Sequence, residues 1–178
     1  MARPRLTGIL LVGGASTRFG SPKALARLDD ETLAERAWRV LGDACDERLA
    51  VGKAEEGLEL PFPVVDDGSP TRAALVGIVA GLRAARSETA VVLPVDVPLV
   101  TSEILRELAA ACADAAVTQA GPLPAAFRRS ALPVLERRLD EGRLALHEAL
   151  AELDTRHIGV DETLLANVNT PDDLRRLG

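Results

Sequence analysis

The stretch from Gly8 to Leu25, GILLVGGASTRFGSPKAL, decides the fold that we predict for this chain. It opens with four apolar residues, Ile9 to Val12, a run typical of a strand buried on both faces of a parallel sheet. The glycine pair 13–14 follows at once and permits the positive φ angles and close backbone approach that a phosphate-binding turn needs. Because Arg18 and Lys23 add two cations to the same loop, the stretch predicts a strand followed by an anion-binding loop.

Two familiar phosphate loops do not fit this stretch. The dinucleotide fingerprint G-x-G-x-x-G would need glycines where Ala15 and Arg18 stand. The Walker loop would need a lysine directly after its last glycine, whereas Lys23 follows Gly20 by three residues. On the glycine pair alone, an ordinary β-to-α turn with two exposed cations is an equally good interpretation. The rest of the chain has to decide between the two.

The composition is that of an ordinary globular protein. The 178 residues, 47% apolar and 27% charged, predict a single domain over residues 1–178 with a substantial core. The net charge of −6 argues against partners such as nucleic acid or a membrane surface, which call for a surplus of Lys and Arg. Cys45 and Cys112 lack metal or redox spacing, and we recognise neither a signal peptide nor a membrane span. These features predict a cytoplasmic protein.

Lys23 and Lys53 are the only two lysines in the sequence. Arginine cannot replace lysine where the chemistry needs a compact ammonium group, so the lysine at position 23 favours a functional role there. For Lys53 we keep the simpler interpretation of a surface lysine.

Strands and helices alternate along the rest of the chain. Strands are predicted over 48–51, 61–65, 90–94, 115–119 and 123–127, and helices over about 33–41, 75–82, 102–112, 133–139, 144–153 and 172–177. Asp29 and Asp30 are expected to cap the first helix, and Thr170 with Asp173 to form a capping box on the last. The alternation predicts a three-layer α/β domain with a mostly parallel sheet.

Asp96 is the first candidate metal ligand. It follows the apolar strand 90–94 within the segment Pro94-Val-Asp-Val-Pro98, whose prolines withhold backbone donors and leave the carboxylate free. Ligands of open parallel sheets bind outside the carboxyl ends of the strands. The loop at Gly13 and the Asp96 carboxylate are therefore expected to project from the same edge.

Together these motifs resemble the molybdenum cofactor guanylyltransferases, which are nucleotidyltransferases with a Rossmann-like domain of the GT-A type. The loop LLVGGASTRFGSPKAL carries most of the resemblance, and its Gly-Gly pair is more similar to guanylyl than to cytidylyl relatives. Four further stretches agree in order and spacing, namely Asp67–Pro70, Leu75–Ile78, Pro94–Pro98 and Asn167–Asp173, with a weaker match at Pro122–Phe127. The chain departs from the family at Arg72-Ala73-Ala74, where Gly-Pro is usual, and at Val51-Gly52-Lys53, where an Asn is common.

The resemblance implies transfer of GMP from GTP to the phosphate of molybdopterin with release of pyrophosphate. Such an in-line displacement needs positioning and charge neutralisation rather than a protein nucleophile. Arg18 would hold the β- and γ-phosphates, Lys23 would lie nearer the α-phosphate, and both would act with Asp96 in catalysis. The nucleotide-binding residues implied by the resemblance are Leu11, Val12, Gly13, Gly14, Arg18, Lys23, Asp67 and Asp96.

Mg²⁺ is the cofactor that the resemblance implies, because this hard ion binds through one or two protein oxygens together with substrate phosphates. Asp96 and Asn169 are the expected ligands, with Asn169 favoured over Asn167. The implied partners are GTP, a molybdopterin-type phosphate acceptor and, transiently, molybdoenzyme maturation proteins.

Several alternatives stay open at this point. Asp67 could be a turn residue instead of a nucleotide contact, and Asp66 competes with it for that contact. The enzyme could be a related nucleotidyltransferase that uses CTP, or a sugar phosphate or phospholactate as acceptor. A protein of another class, a non-catalytic nucleotide sensor or cofactor carrier, is suggested by the altered Ala73-Ala74 segment.

Overall fold

The computed structural model describes residues 5–13 and 18–178. Its strands are β1 (Leu6–Leu11), β2 (Arg27–Leu28), β3 (Glu31–Thr32), β4 (Glu47–Gly52), β5 (Val64–Asp66), β6 (Thr89–Pro94), β7 (Ala115–Thr118), β8 (Gly121–Arg128) and β9 (Thr155–Ile158). Its α-helices are α1 (Leu33–Ala44), α2 (Ala74–Ala84), α3 (Ser102–Ala111), α4 (Leu132–Asp140), α5 (Leu146–Ala151) and α6 (Pro171–Arg175).

Seven strands form one sheet in the order β5-β4-β1-β6-β8-β7-β9, and β2 pairs with β3 in a separate hairpin. Within the seven-stranded sheet the pairings are parallel except those of β8, which runs antiparallel to β6 and β7. From β1 the chain first adds β4 and β5 on one side and then β6 on the other. This reversal creates the kind of crevice in which open α/β sheets bind ligands.

Both faces of the sheet are covered by helices because β1 is apolar on both sides. Leu6 and Leu10 pack into a cluster formed with α1 and α3, whereas Ile9 and Leu11 pack into a second cluster with α2, α4 and α5. The predicted three-layer α/β fold with a mostly parallel sheet is therefore confirmed. Among the described residues, no helix has the length and apolar character needed to cross a membrane.

The first helix is capped differently from the prediction. Asp29 and Asp30 form the turn of the β2–β3 hairpin, with Asp29 at φ 56°, so the predicted Asp cap is wrong. Thr32 caps α1 instead: its hydroxyl accepts from the Glu35 N–H at 3.1 Å, and the Glu35 carboxylate accepts from the Thr32 N–H at 2.8 Å. The capping box predicted for the last helix is confirmed, with Thr170 as the N-cap of α6.

The other differences concern short strands. The strand predicted over 61–65 forms only from Val64 to Asp66, and the hairpin β2–β3 and the edge strand β9 were not predicted. The single tryptophan, Trp38, is half-buried at the margin of the first cluster. It stacks on Phe62 with ring centroids 4.2 Å apart.

Candidate active site

A cavity of about 790 Å³ opens at the carboxyl ends of β1, β4 and β6. The strand register explains how its polar residues meet there. Leu11 of β1 is paired with Val51 of β4 and with Pro94 of β6, so the residues that follow these strand ends, among them Gly13, Lys53 and Asp96, come together at one edge of the sheet. The predicted site residues that line the cavity are Leu11, Val12, Gly13, Lys23, Asp67 and Asp96.

Three predicted site residues stand apart from this lining. Gly14 lies outside the described residues. Arg18 is exposed and is not among the residues that line the cavity. Asn169 does not line the cavity either, but its side chain accepts a hydrogen bond from Lys23, which does. Asn167, the alternative to Asn169, is exposed as well.

Lys23, Asp96 and Asn169 form a polar cluster at the β6 side of the cavity. The Lys23 ammonium lies 3.8 Å from Asp96 Oδ2 and donates to Asn169 Oδ1 at 3.4 Å. Both contacts are long for a charged donor. The ammonium therefore occupies a position on which a carboxylate and an amide oxygen converge, without being held tightly there.

The C-terminal segment is fastened to this cluster by backbone hydrogen bonds. The Val168 N–H donates to the Asp96 carbonyl at 2.8 Å, which places the next residue, Asn169, beside the end of β6. The Asp173 carboxylate accepts from the N–H groups of Asn169 and Thr170, both at 2.9 Å. The Asp173 carboxylate of the α6 capping box thus also holds the backbone of Asn169, whose side chain contacts Lys23.

Asp96 is partly withdrawn from water, with 31% of its side chain exposed. Burial raises the pKa of Asp96 above its ordinary value, and the neighbouring Lys23 ammonium opposes that rise. The Lys23 ammonium compensates only part of the cost of desolvating this carboxylate. A cation of higher charge would therefore stabilise the ionised form of Asp96 further.

The site contains a buried lysine that we did not expect. The interpretation of Lys53 as a surface residue is wrong, since it is 7% exposed. Its ammonium donates to both oxygens of the Asp67 carboxylate at 2.8 Å and to the carbonyls of Ser69 at 2.6 Å and Thr71 at 2.8 Å. These acceptors use all three of its N–H groups, so Lys53 fastens the loop 67–71 to the end of β4.

This arrangement separates Asp67 from Asp66. The Asp67 side chain, 7% exposed, lines the cavity but is engaged by Lys53 and by the Ser69 N–H at 3.0 Å. Asp66 is exposed and accepts weakly from the N–H groups of Ala54 and Gly68, at 3.4 Å and 3.3 Å. Asp67 is thus the one of the two that faces the cavity, and it does so mainly as the partner of Lys53.

An ion-pair group lies at the β4 side of the cavity. Arg72 donates to Glu56 Oε1 and, at 3.0 Å, to Glu55 Oε1. Arg72 and Glu56 line the cavity, as do Ala73 and Ala74 at the start of α2. Ala73 is the N-cap of α2 and offers no side-chain cap, so the start of this helix borders the cavity without a capping side chain.

Sequence reasoning overlooked Lys53 and the Glu56–Arg72 pair for a common reason. Their partners lie 14 to 18 residues away in sequence and meet only when β4 and β5 pair. One signal was available: a chain with only two lysines places one of them directly after a buried strand, which is where a ligand-facing loop begins.

Comparisons with known proteins identify the family of this chain. The family model described as MobA-like NTP transferase domain matches residues 8–157. A probable molybdenum cofactor guanylyltransferase from Chloroflexus aggregans is 36% identical, with 96% of this chain and 92% of the relative covered. A second protein of that name, from Carboxydothermus hydrogenoformans, is 32% identical over 97% of this chain and 94% of its own length.

A solved structure extends the likeness to the fold. Molybdopterin-guanine dinucleotide biosynthesis protein A from Archaeoglobus fulgidus superimposes with a TM-score of 0.81 at 27% identity, covering 96% of each chain. The similarity in sequence and in structure spans the elements that build the cavity. The chain belongs to the family of MobA-like nucleotidyltransferases.

Proposed function

We propose that this protein transfers GMP from GTP to the phosphate of a molybdopterin-type acceptor and releases pyrophosphate. The observation that carries the proposal is the convergence of Lys23, Asp96 and Asn169 beside the loop after β1. The names of the relatives point to the same reaction. We also propose that residues 1–178 act as one nucleotidyltransferase domain, because both apolar clusters share a single sheet.

The triphosphate is best accommodated at the β6 side of the cavity. Lys23 is only loosely held, so its ammonium can leave Asn169 and donate to the α-phosphate, where negative charge develops during the displacement. Arg18 stands in the same loop and would approach the β- and γ-phosphates. Lys53, by contrast, has no N–H group left for a phosphate.

Asp96 and Asn169 fit a hard divalent cation. Their oxygens converge on a position that a cation, the Lys23 ammonium, already occupies. Two protein oxygens completed by substrate phosphates are a typical site for Mg²⁺, which we propose as the cofactor. When bound there, Mg²⁺ would neutralise charge on the phosphate oxygens of the nucleotide.

The proposal is tested by measuring pyrophosphate release with each triphosphate, Mg²⁺ and molybdopterin. We expect turnover with GTP, and an Asp96→Ala variant should lose at least about 10²-fold in rate while still binding nucleotide. Turnover with CTP and none with GTP would refute the proposed base. Turnover that is unchanged in the variant would refute the role of Asp96.

A non-catalytic nucleotide sensor is the second candidate, favoured only by the Ala73-Ala74 segment at the cavity mouth. A sensor would have no use for a cation site at the α-phosphate. The same assay separates the two functions, since a sensor would bind GTP and release no pyrophosphate with any acceptor.

A further inference from the structure

The cavity has two chemically different ends. Neighbouring strands lie roughly 4.8 Å apart, so the ends of β4 and β6, on either side of β1, are separated by about 10 Å. Lys23 and Asp96 occupy the β6 end, which is suited to phosphates and a cation. Glu56 and Arg72 lie at the β4 end, next to Lys53 and Asp67, whose opposite charges pair with each other.

Glu56 is placed to contact a ligand at this end. It closes the short turn Ala54–Glu56 after β4, and its side chain is only 16% exposed. Its Oε1 accepts from Arg72, while its Oε2 lies 3.6 Å from the point where a Cβ on Gly13 would stand. Glu56 lines the cavity, and within the described residues no donor reaches Oε2, so the lone pairs of this oxygen are available to a ligand.

The ionised groups around Arg72 carry a net negative charge, which would repel a phosphate. Arg72 carries one positive charge, and its two partners, Glu55 and Glu56, carry two negative charges. A ligand edge with N–H donors next to one acceptor suits such a pair. The Watson–Crick edge of guanine has this pattern, with the 2-amino group and N1–H as donors and O6 as the acceptor. Cytosine presents one amino donor beside two acceptors, which would face the carboxylate unfavourably.

We propose that Glu56 and Arg72 read the guanine base, with Glu56 Oε2 accepting from N1–H and the 2-amino group and Arg72 donating to O6. This inference rests on the proposed function, because it takes the nucleotide to lie with its phosphates at Lys23. It assigns base selection to two residues that touch neither the cation site nor the reacting phosphate.

Inosine nucleotides test the role of Glu56, because inosine differs from guanosine only by the missing 2-amino group. For the wild-type protein we expect kcat/KM with GTP to exceed that with ITP by roughly 5- to 150-fold. In a Glu56→Gln variant the GTP-to-ITP ratio should fall to within about twofold of unity. The change should appear in KM, since the base lies away from the reacting atoms.

Glu55 provides the matched control. It also pairs with Arg72, but its side chain is 67% exposed and does not line the cavity. A Glu55→Gln variant should keep the wild-type ratio. An Arg72→Met variant should weaken GTP and ITP alike, because both bases carry O6. Melting temperatures of the variants, compared with wild type, show that each one folds.

Calorimetric binding of GDP and IDP provides a readout that does not need turnover. A loss of the GDP preference in Glu56→Gln, with the preference retained in Glu55→Gln, supports the inference. A preference that survives in Glu56→Gln, or is lost equally in Glu55→Gln, overturns it. If no triphosphate gives pyrophosphate, the proposed function fails while the GDP–IDP comparison still decides the base contact. A wild-type preference for CTP overturns both.

Discussion

Lys23 and Lys53 show how one residue type can serve two purposes within one cavity. Lys53 makes four contacts of 2.6 to 2.8 Å and is buried, whereas Lys23 makes two contacts of 3.4 and 3.8 Å. The short contacts hold a loop in place, and the long ones leave a cation able to move to a substrate oxygen. Burial and the number of acceptors that each ammonium contacts, not residue identity, separate the two roles.

Replacing Lys53 by methionine should destabilise the protein by about 3 kcal/mol or more, because the buried Asp67 carboxylate would lose its partner. Urea unfolding of Lys53→Met, Asp67→Leu and the double variant measures the coupling between the two. We expect the double variant to recover much of the loss, because it leaves neither charge buried alone. Strictly additive effects of the two single variants would contradict the pairing.

Asp96 should limit the stability of the ligand-free protein. Its folded-state pKa is raised by burial, so the stability it contributes is complete below its unfolded-state pKa, about 3.9, and is lost as the pH rises through the folded-state value. In the presence of a chelator at pH 7, Asp96→Asn should therefore melt above wild type. The difference in melting temperature between the variant and wild type should become smaller as the pH falls towards 4.

Differential scanning calorimetry of both proteins across this pH range gives the comparison, and the activity of the same variant should fall by at least about 10²-fold. A variant that melts below wild type at pH 7 would show that the Lys23 contact outweighs the cost of burial. Stability and activity would then not be opposed at this position.

Individual site residues were predictable where a motif and a strand end coincide. Asp96 follows an unbroken apolar strand, so its place at the sheet edge followed from the pattern alone. Glu56 lies in a short polar turn whose direction depends on how β4 meets β5 and on the position of Arg72, 16 residues away. The local sequence around Glu56 does not indicate this tertiary contact with Arg72.

At the scale of elements, α2 packs unusually close to β1 because two of its glycines face the strand. A Cβ added at Gly81 would stand 2.7 Å from Cγ2 of Ile9, and one added at Gly77 would stand 2.9 Å from Cδ2 of Leu11. The close packing brings the start of α2 to the cavity mouth. Helix propensity would favour alanine at both positions by roughly 1 kcal/mol, so the contacts have to outweigh it.

We expect Gly81→Ala to destabilise the protein by about 1 kcal/mol net, because Ile9 is β-branched and cannot turn away, and overpacking a core costs about 1–3 kcal/mol. Gly77→Ala should cost less, since the atom it meets is the far end of a leucine. Leu11 lines the cavity, however, so the second variant should raise KM for GTP. Chemical unfolding and steady-state kinetics of the pair check the order; equal stability losses would contradict it.

The long, strongly patterned elements were predictable, and the short ones were not. Strand β6 and helix α2 have continuous or periodic apolar residues, and both were predicted close to their bounds. Strand β9 has four half-exposed or exposed residues, Thr155 to Ile158, without alternation. It becomes a strand only because β7 offers it a parallel edge, which is a tertiary effect.

At the scale of the whole molecule, the site joins segments from both ends of the chain. The loop after β1 carries Lys23, and the segment before α6 carries Asn169, 146 residues later. The backbone hydrogen bond from Val168 to Asp96 links that segment to the centre of the sheet. A nucleotide bound with a cation would therefore connect the first strand, the central strand β6 and the C-terminal helix.

This connection predicts a stabilisation that needs nucleotide and cation together. GTP with Mg²⁺ at about 100 times its Kd should stabilise the fold by about 2.7 kcal/mol, which raises Tm by roughly 5 to 10 °C for a chain of this size. Asn169→Ala should lose the part of the rise in Tm that depends on Mg²⁺ and keep the part due to GTP alone.

Asn167→Ala is the matched control, because this exposed asparagine is two residues away and makes no contact with Lys23 within the described structure. Thermal melts with GTP, with and without Mg²⁺, decide the matter: equal Mg²⁺-dependent rises in both variants would remove Asn169 from the cation site, and a loss confined to Asn167→Ala would transfer the role to that residue.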